Sequence, residues 1–182
     1  MKPLFTIHAG EYLAGSFIEN KFKNCRVWIP AKDDGIDLLV TNATDFSKGV
    51  PLQVKFSKDY KSASALSKWD ELVMHTWFRL NTGKIKSSKA RYWVFVLQPF
   101  VAGEKTQYLI IPPAELLRRI AAYHGKKSTY NLFFLVNKKG GCWDTRGLRK
   151  SELKKLAANS LTIPERDFSK FLNNWSAIGK LT

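Results

Sequence analysis

The chain has 182 residues, 45% of them apolar, enough for one well-packed domain and too apolar for a disordered chain. Thirty Lys and Arg against fifteen Asp and Glu give a net charge of +15 and a pI near 9.9. Such a balance points to a polyanionic partner, above all nucleic acid, with an inert basic surface or anionic lipid as the plainer readings.

No apolar run approaches the ~18 residues of a membrane helix. The apolar part of "MKPLFTIHAGEY" is too short for a signal peptide. Cys25 and Cys142 are too few and too far apart for a zinc motif. The expectation is a cytoplasmic protein with reduced thiols and no membrane segment. The positive charge is uneven. Residues 1–60 carry eight Lys/Arg and seven Asp/Glu (net +1), residues 61–120 ten and four (+6), and residues 121–182 twelve and four (+8). The acids gather in the N-terminal third, and the basic remainder is suited to receiving phosphates.

In chain order, "HAGEYLAGSFIENKFKN" reads as a helix with Tyr12, Leu13, Phe17, Ile18 and Phe22 on its apolar side. "CRVWIP" is a short strand, "KDDG" a turn containing Asp33 and Asp34, "IDLLV" a second strand and "VPLQVKF" a third, together an antiparallel meander. "ALSKWDELVMHTWFRL" has Leu66, Trp69, Val73, Trp77 and Leu80 at helical spacing, with Lys68, Glu71, His75 and Arg79 on other faces, and predicts a helix. "TGKIKSSKA" predicts a basic loop, and the almost wholly apolar "RYWVFVLQP" a central strand buried on both faces. "QYLIIPP" predicts a strand, Pro112–Pro113 the start of the helix "AELLRRIAAYH", and "NLFFLVN" another strand. "GGCWDTRG" reads as a Gly-rich loop, and the chain from about Leu148 as basic and helical. The whole is one α/β domain over residues 1–182, its core about 8–137, with a basic helical C-terminal extension about 148–182.

The residues that carry chemistry lie on the second and third strands. By period-2 alternation Leu52, Val54 and Phe56 face the core, while Gln53 and Lys55 face the other way. In "GIDLLV", Asp37 takes the face opposite Ile36 and Leu38. If these strands pair, Asp37, Gln53 and Lys55 converge on one cleft, with Glu11 reaching it from the first helix. Beside a phosphodiester, Asp37 offers a carboxylate oxygen, Gln53 an amide oxygen and Val54 a backbone carbonyl to Mg²⁺, with Mn²⁺ as a substitute. Lys55 can hold a water or stabilise charge on phosphate. Glu11 either assists or is a solvated first-turn residue favoured by the helix dipole. Asp34 is a secondary ligand candidate. His8, His75 and His124 show no metal or triad spacing.

The helix Glu in "AGEYLAG", the Asp in "DDGIDLLV" and the Gln-x-Lys in "LQVKF" resemble the PD-(D/E)XK nuclease superfamily of restriction endonucleases and Holliday-junction resolvases. The order of elements over Gly10–Pro99 is likewise similar to its αβββαβ core. The resemblance covers about the first 100 residues, and Gln53 stands where Glu or Asp is usual. It implies a restriction-endonuclease-like fold with a mixed central sheet, and a Mg²⁺-dependent DNA endonuclease with Glu11, Asp37, Gln53 and Lys55 as catalytic residues. The alternative is a DNA-binding module of this fold without cleavage. Candidate phosphate contacts are Lys58, Lys84, Lys86, Lys89, Arg91, Lys138, Lys139, Arg149 and Lys150. Cutting both strands of a duplex needs two sites, so a homodimer or larger symmetric assembly is expected.

Overall fold

The computed structural model describes residues 8–32, 34–60, 69–100 and 103–181. Helix α1 (Ala9–Lys21) leads into β1 (Cys25–Trp28), β2 (Leu38–Asn42) and β3 (Gly49–Lys58), which form the expected antiparallel meander. Then follow β4 (Leu72–Asn81), α2 (Thr82–Lys86), β5 (Tyr92–Gln98), β6 (Gln107–Ile111), α3 (Pro113–His124), β7 (Thr129–Asn137) and β8 (Cys142–Asp144). Helix α4 (Lys150–Ala157), two 3₁₀ turns at Pro164–Arg166 and Ser169–Phe171, and the short α5 (Ser176–Gly179) complete the chain.

Five strands in the order β1-β2-β3-β5-β6 make a mixed sheet in which only β3 and β5 run parallel. Strands β4, β7 and β8 make a second, antiparallel sheet. The length of β3 lets it serve both. Its register with β2 ends at Leu52 opposite Leu38, and beyond Lys58 it leans on β4, where Tyr60 N–H donates to the His75 carbonyl (2.8 Å). The middle of β3 therefore runs past the start of β2, and the candidate site forms in that gap.

Strand β5 is buried on both faces, as expected of a central strand. Trp93, Phe95 and Leu97 enter one core with Met74, Phe78 and Phe134, while Val94 and Val96 enter another with Ala14, Ile18 and Trp175. Each of these large side chains contributes about 1.5–3 kcal/mol of burial, so the two cores clamp β3 and β5 from opposite sides.

Four expectations are corrected. The helix predicted over 65–80 is strand β4 where it is described; Leu66 and Lys68 lie outside the described residues. Leu72, Met74, Thr76, Phe78 and Leu80 are all at most 4% exposed. That is period-2 burial, and β-branched and aromatic residues favour it. The helical spacing of Trp69, Val73, Trp77 and Leu80 was a coincidence of a wider pattern. The αβββαβ order changes accordingly, because β4 and the five-residue α2 carry the chain from β3 to β5. Residues 82–86 of the predicted basic loop are α2, capped by Asn81, whose side chain accepts from Lys84 N–H at 3.0 Å. The "GGCWDTRG" loop contains β8, fully buried against β7. The C-terminal extension, expected to be helical, is α-helical mainly in α4, and its remainder packs into the core through Phe168, Trp175 and Ile178. Both cysteines are buried thiols, and burial pushes each above its ordinary value.

Candidate active site

The turn before β2 passes through Gly35 at φ +91°, a conformation that costs a side-chain-bearing residue dearly, and delivers Asp37 to the start of the strand. Asp37 N–H donates to the Leu52 carbonyl at 2.8 Å. Its carboxylate then takes the place that another β2 residue would have held beside β3. Oδ2 accepts from the Val54 backbone N–H at 2.7 Å and from the Gln53 side-chain amide at 2.9 Å, with Asp37 only 6% exposed. Leu52 and Val54 both turn a peptide group to this side, so strand alternation turns the Val54 carbonyl here as well. The Val54 side chain points back into the core.

Lys55 stands two residues beyond Gln53 on the same face, half-buried, its ammonium 5.4 Å from the centre of the Trp93 ring. The cation–π contact holds a long side chain over the cleft floor. Phe56, expected in the core, is instead 36% exposed at the edge of α1. Its Cβ lies against Gly10 in the first turn of α1. A Cβ there would stand 2.8 Å from the Phe56 Cβ and 3.3 Å from the Val54 Cγ1. Only glycine lets the first turn of α1 settle this closely on β3. That approach brings Glu11 into the cleft, 4% exposed, where Oε2 accepts from His8 N–H at 3.4 Å. Glu11 is therefore no solvated first-turn residue, although it also caps its helix.

Glu11, Asp37, Gln53, Val54 and Lys55 share one open cleft of about 790 Å³. Lys84, Asp34, Ser87, Ser88 and Trp93 line it too. Trp93 was hidden in the sequence inside an apolar strand, and the two serines inside a loop. Of the basic residues, Lys84 lines the cleft directly. Lys89 pairs with Asp34 at 2.9 Å, and this hydrogen bond holds the Asp34 carboxyl below its ordinary value. Lys58 is exposed in an adjoining groove and Lys86 on α2, while Arg91 lines a separate depression with Lys48 and Lys180. Lys138 and Lys139 are not brought to the cleft. Lys138 N–H bonds the Glu71 carbonyl just before β4 begins, about 30 Å along that strand from Asn81 at a strand rise near 3.3 Å. Arg149 and Lys150 open α4, which packs behind the second sheet. Asp33 lies outside the described residues.

Of the histidines, His8 lines the cleft beside Glu11, while His75 and His124 lie elsewhere. His75 is on β4, bonded to Thr145 Oγ1 at 3.1 Å, and burial pushes its imidazole below the ordinary value. His124 and Tyr123 both reach the fully buried Asp144, at 2.9 and 2.8 Å, tying α3 to β8.

Among the described residues, no group of three or more His, Cys, Asp and Glu is placed to hold a metal ion. The cleft presents the Glu11 and Asp37 carboxylates, the Asp34 carboxylate paired with Lys89, the neutral Gln53 amide and the Val54 backbone carbonyl. That set does not suit zinc. It fits a hard, largely hydrated cation such as Mg²⁺, which takes one or two carboxylates and completes its shell with water and substrate phosphate. No helix of the described residues is long and apolar enough to cross a membrane. Comparisons with known protein families, curated proteins and solved structures found no match to this chain.

Proposed function

We propose that the protein is a Mg²⁺-dependent endonuclease that hydrolyses DNA phosphodiester bonds on a restriction-endonuclease-like core. The observation that carries this reading is the convergence of Glu11, Asp37, Gln53 and Lys55 in one cleft of a chain with net charge +15. Asp37 and the Gln53 amide oxygen, with Glu11 and the Val54 carbonyl, would hold the cation, with Mn²⁺ as a substitute. Once bound, the cation would polarise the phosphoryl group and offset its developing charge.

The protein's own groups do the rest. The Lys55 ammonium, steadied over Trp93, is placed to orient the attacking water or to stabilise negative charge on phosphorus. Lys84 on the cleft wall can grip a neighbouring phosphate. Gln53 keeps Asp37 oriented through its amide and orders the floor of the site. Cleavage of both strands would need two copies of the chain, hence a homodimer or larger symmetric assembly.

One observation favours a second reading, a DNA-binding module without cleavage. Gln53 and Val54 already satisfy Asp37 Oδ2 with protein donors. Incubation with supercoiled and branched DNA separates the two readings. The endonuclease predicts nicked or linear product with Mg²⁺, none with EDTA, and loss of product in Asp37→Ala and Lys55→Ala. Salt-sensitive binding with no product on any substrate supports the second reading, and no binding at low salt overturns both.

A further inference from the structure

Beside the cleft runs a groove of about 760 Å³, and the two share Lys55 and Phe56. Its walls carry exposed aromatic rings: Phe56 (36% exposed), Tyr60 (46%), Trp77 (40%) and Phe100 (69%). These come from the end of β3, the middle of β4 and the segment after β5. An exposed ring is ordinary when single, but four in one groove are a concentration that folding does not require. Trp77 shows this most clearly. It lies on the outer face of β4, whose inner face already buries Met74, Phe78 and Leu80.

Charge argues for the kind of occupant. Lys58 and Arg79 line the groove, Lys55 stands where it meets the cleft, and Arg79 and Lys84 share a smaller depression that also opens on Lys55. Asp59, the acid among the groove's lining residues, is 6% exposed and accepts from His75 N–H at 2.8 Å within the strand pairing. The groove is thus cationic and aromatic together. A base-paired duplex would present phosphates to the cations and nothing to the rings, because its bases are stacked inside. An unpaired strand presents both, phosphates to Lys58 and Arg79 and free base faces to the rings. An apolar peptide would leave the cations without a counterpart.

We infer that this groove is a binding site for unpaired nucleobases, which seats a single-stranded stretch of DNA next to the cleft. The inference deepens the reading above and depends on it only for which polymer enters the cleft. The substrate class is then DNA carrying a single-stranded segment, such as a flap, a bubble or a branch, with the scissile phosphate close to the unpaired stretch.

Binding measured in EDTA tests the groove without cleavage. The probes are fluorescein-labelled dT15, U15 and a hairpin duplex of matched length, followed by anisotropy with wild type, Trp77→Ala, Phe100→Ala and Trp77→Phe. Base stacking of about 1–3 kcal/mol per ring predicts that each Ala variant binds dT15 roughly 5- to 150-fold more weakly. Duplex affinity stays within about twofold, and Trp77→Phe, which keeps a ring, recovers most of the loss. Phe100→Ala lies outside the β4 pairing, so it guards against a folding defect in the Trp77 variants. Equal losses on duplex and dT15, or no loss on dT15, overturn the site, as does a dimer that dissociates in Trp77→Ala while dT15 affinity is unchanged. Tighter binding of U15 than of dT15 overturns the assignment to DNA. If dT15 binds through these rings while wild type cleaves nothing in Mg²⁺, the groove stands and the endonuclease falls.

Discussion

Gln53→Glu tests the geometry at the centre of the cleft. The Gln53 amide donates to Asp37 Oδ2 across 2.9 Å. Glutamate replaces this donor with a second carboxylate at the same distance. The hydrogen bond to a charged acceptor, about 1.5–3 kcal/mol, is lost. Repulsion is added, with an upper limit, because the pair escapes it by taking up one proton. That uptake costs about 1.4 kcal/mol for each pH unit above a Glu pKa near 4.3, hence about 4 kcal/mol at pH 7.5. The variant should lose a comparable amount of stability in EDTA, a fall in Tm of about 10 °C for a chain of this size. The paired carboxyl has a raised pKa in the folded state, so the deficit shrinks as pH falls from 7.5 toward 5. Mg²⁺ neutralises the pair and should restore much of the loss, so Gln53→Glu should show a larger Mg²⁺-dependent rise in Tm than wild type. Thermal melting at two pH values, with EDTA and with Mg²⁺, reads all of this. A variant that melts with wild type in EDTA at pH 7.5 refutes the Asp37–Gln53 arrangement.

Other predictions rest on separate contacts. Gly10→Ala should destabilise by about 1–2 kcal/mol in urea melts, since overpacking against Phe56 at 2.8 Å costs ~1–3 kcal/mol and relief of a helical glycine returns part of it; a stabilised variant contradicts the close seating of α1. Asn137→Ala should lower stability by about 2–4 kcal/mol, because the 2%-exposed Asn137 side chain donates to the Ala157 carbonyl at 3.1 Å and accepts from Gly141 N–H at 2.8 Å. Burial holds His75 below its ordinary value, so the unfolded chain takes up that proton first, and the associated stability is full above about pH 6.5 and declines below it. His75→Gln should therefore lose less Tm between pH 7.5 and 5.5 than wild type, and an equal loss contradicts the assignment.

The N-terminal meander and its polar residues were legible because one physical rule, side-chain alternation, governs both. Leu52 and Val54 face inward for the reason that Gln53 and Lys55 face the cleft. Strand β5 was legible from its unbroken apolar run, and α3 from the Pro112–Pro113 entry. Strand β4 was misread because Trp69, Val73, Trp77 and Leu80 satisfy a helical spacing, and only partners far along the chain, from Thr129 to Asn137, decide for the strand. The same long-range pairing hid β8, a three-residue strand with too few side chains to show a period. Glu11 could not be settled from sequence, since its burial depends on Gly10 meeting Phe56 across 46 residues of chain. Trp93 beneath Lys55 and the aromatic groove were invisible because they join strands that only the fold brings together.

The central claim is that Asp37 supports metal-dependent phosphodiester hydrolysis. Asp37→Asn tests it most directly, because the amide keeps the shape of the side chain and can still accept from Val54 N–H while losing the charge. The measurement is single-turnover cleavage of end-labelled branched DNA in Mg²⁺ by wild type and Asp37→Asn, at protein concentrations that give equal DNA occupancy. Product from wild type only, with none in EDTA, is the predicted result. Equal product from both proteins, or no product from wild type at full occupancy, contradicts the claim.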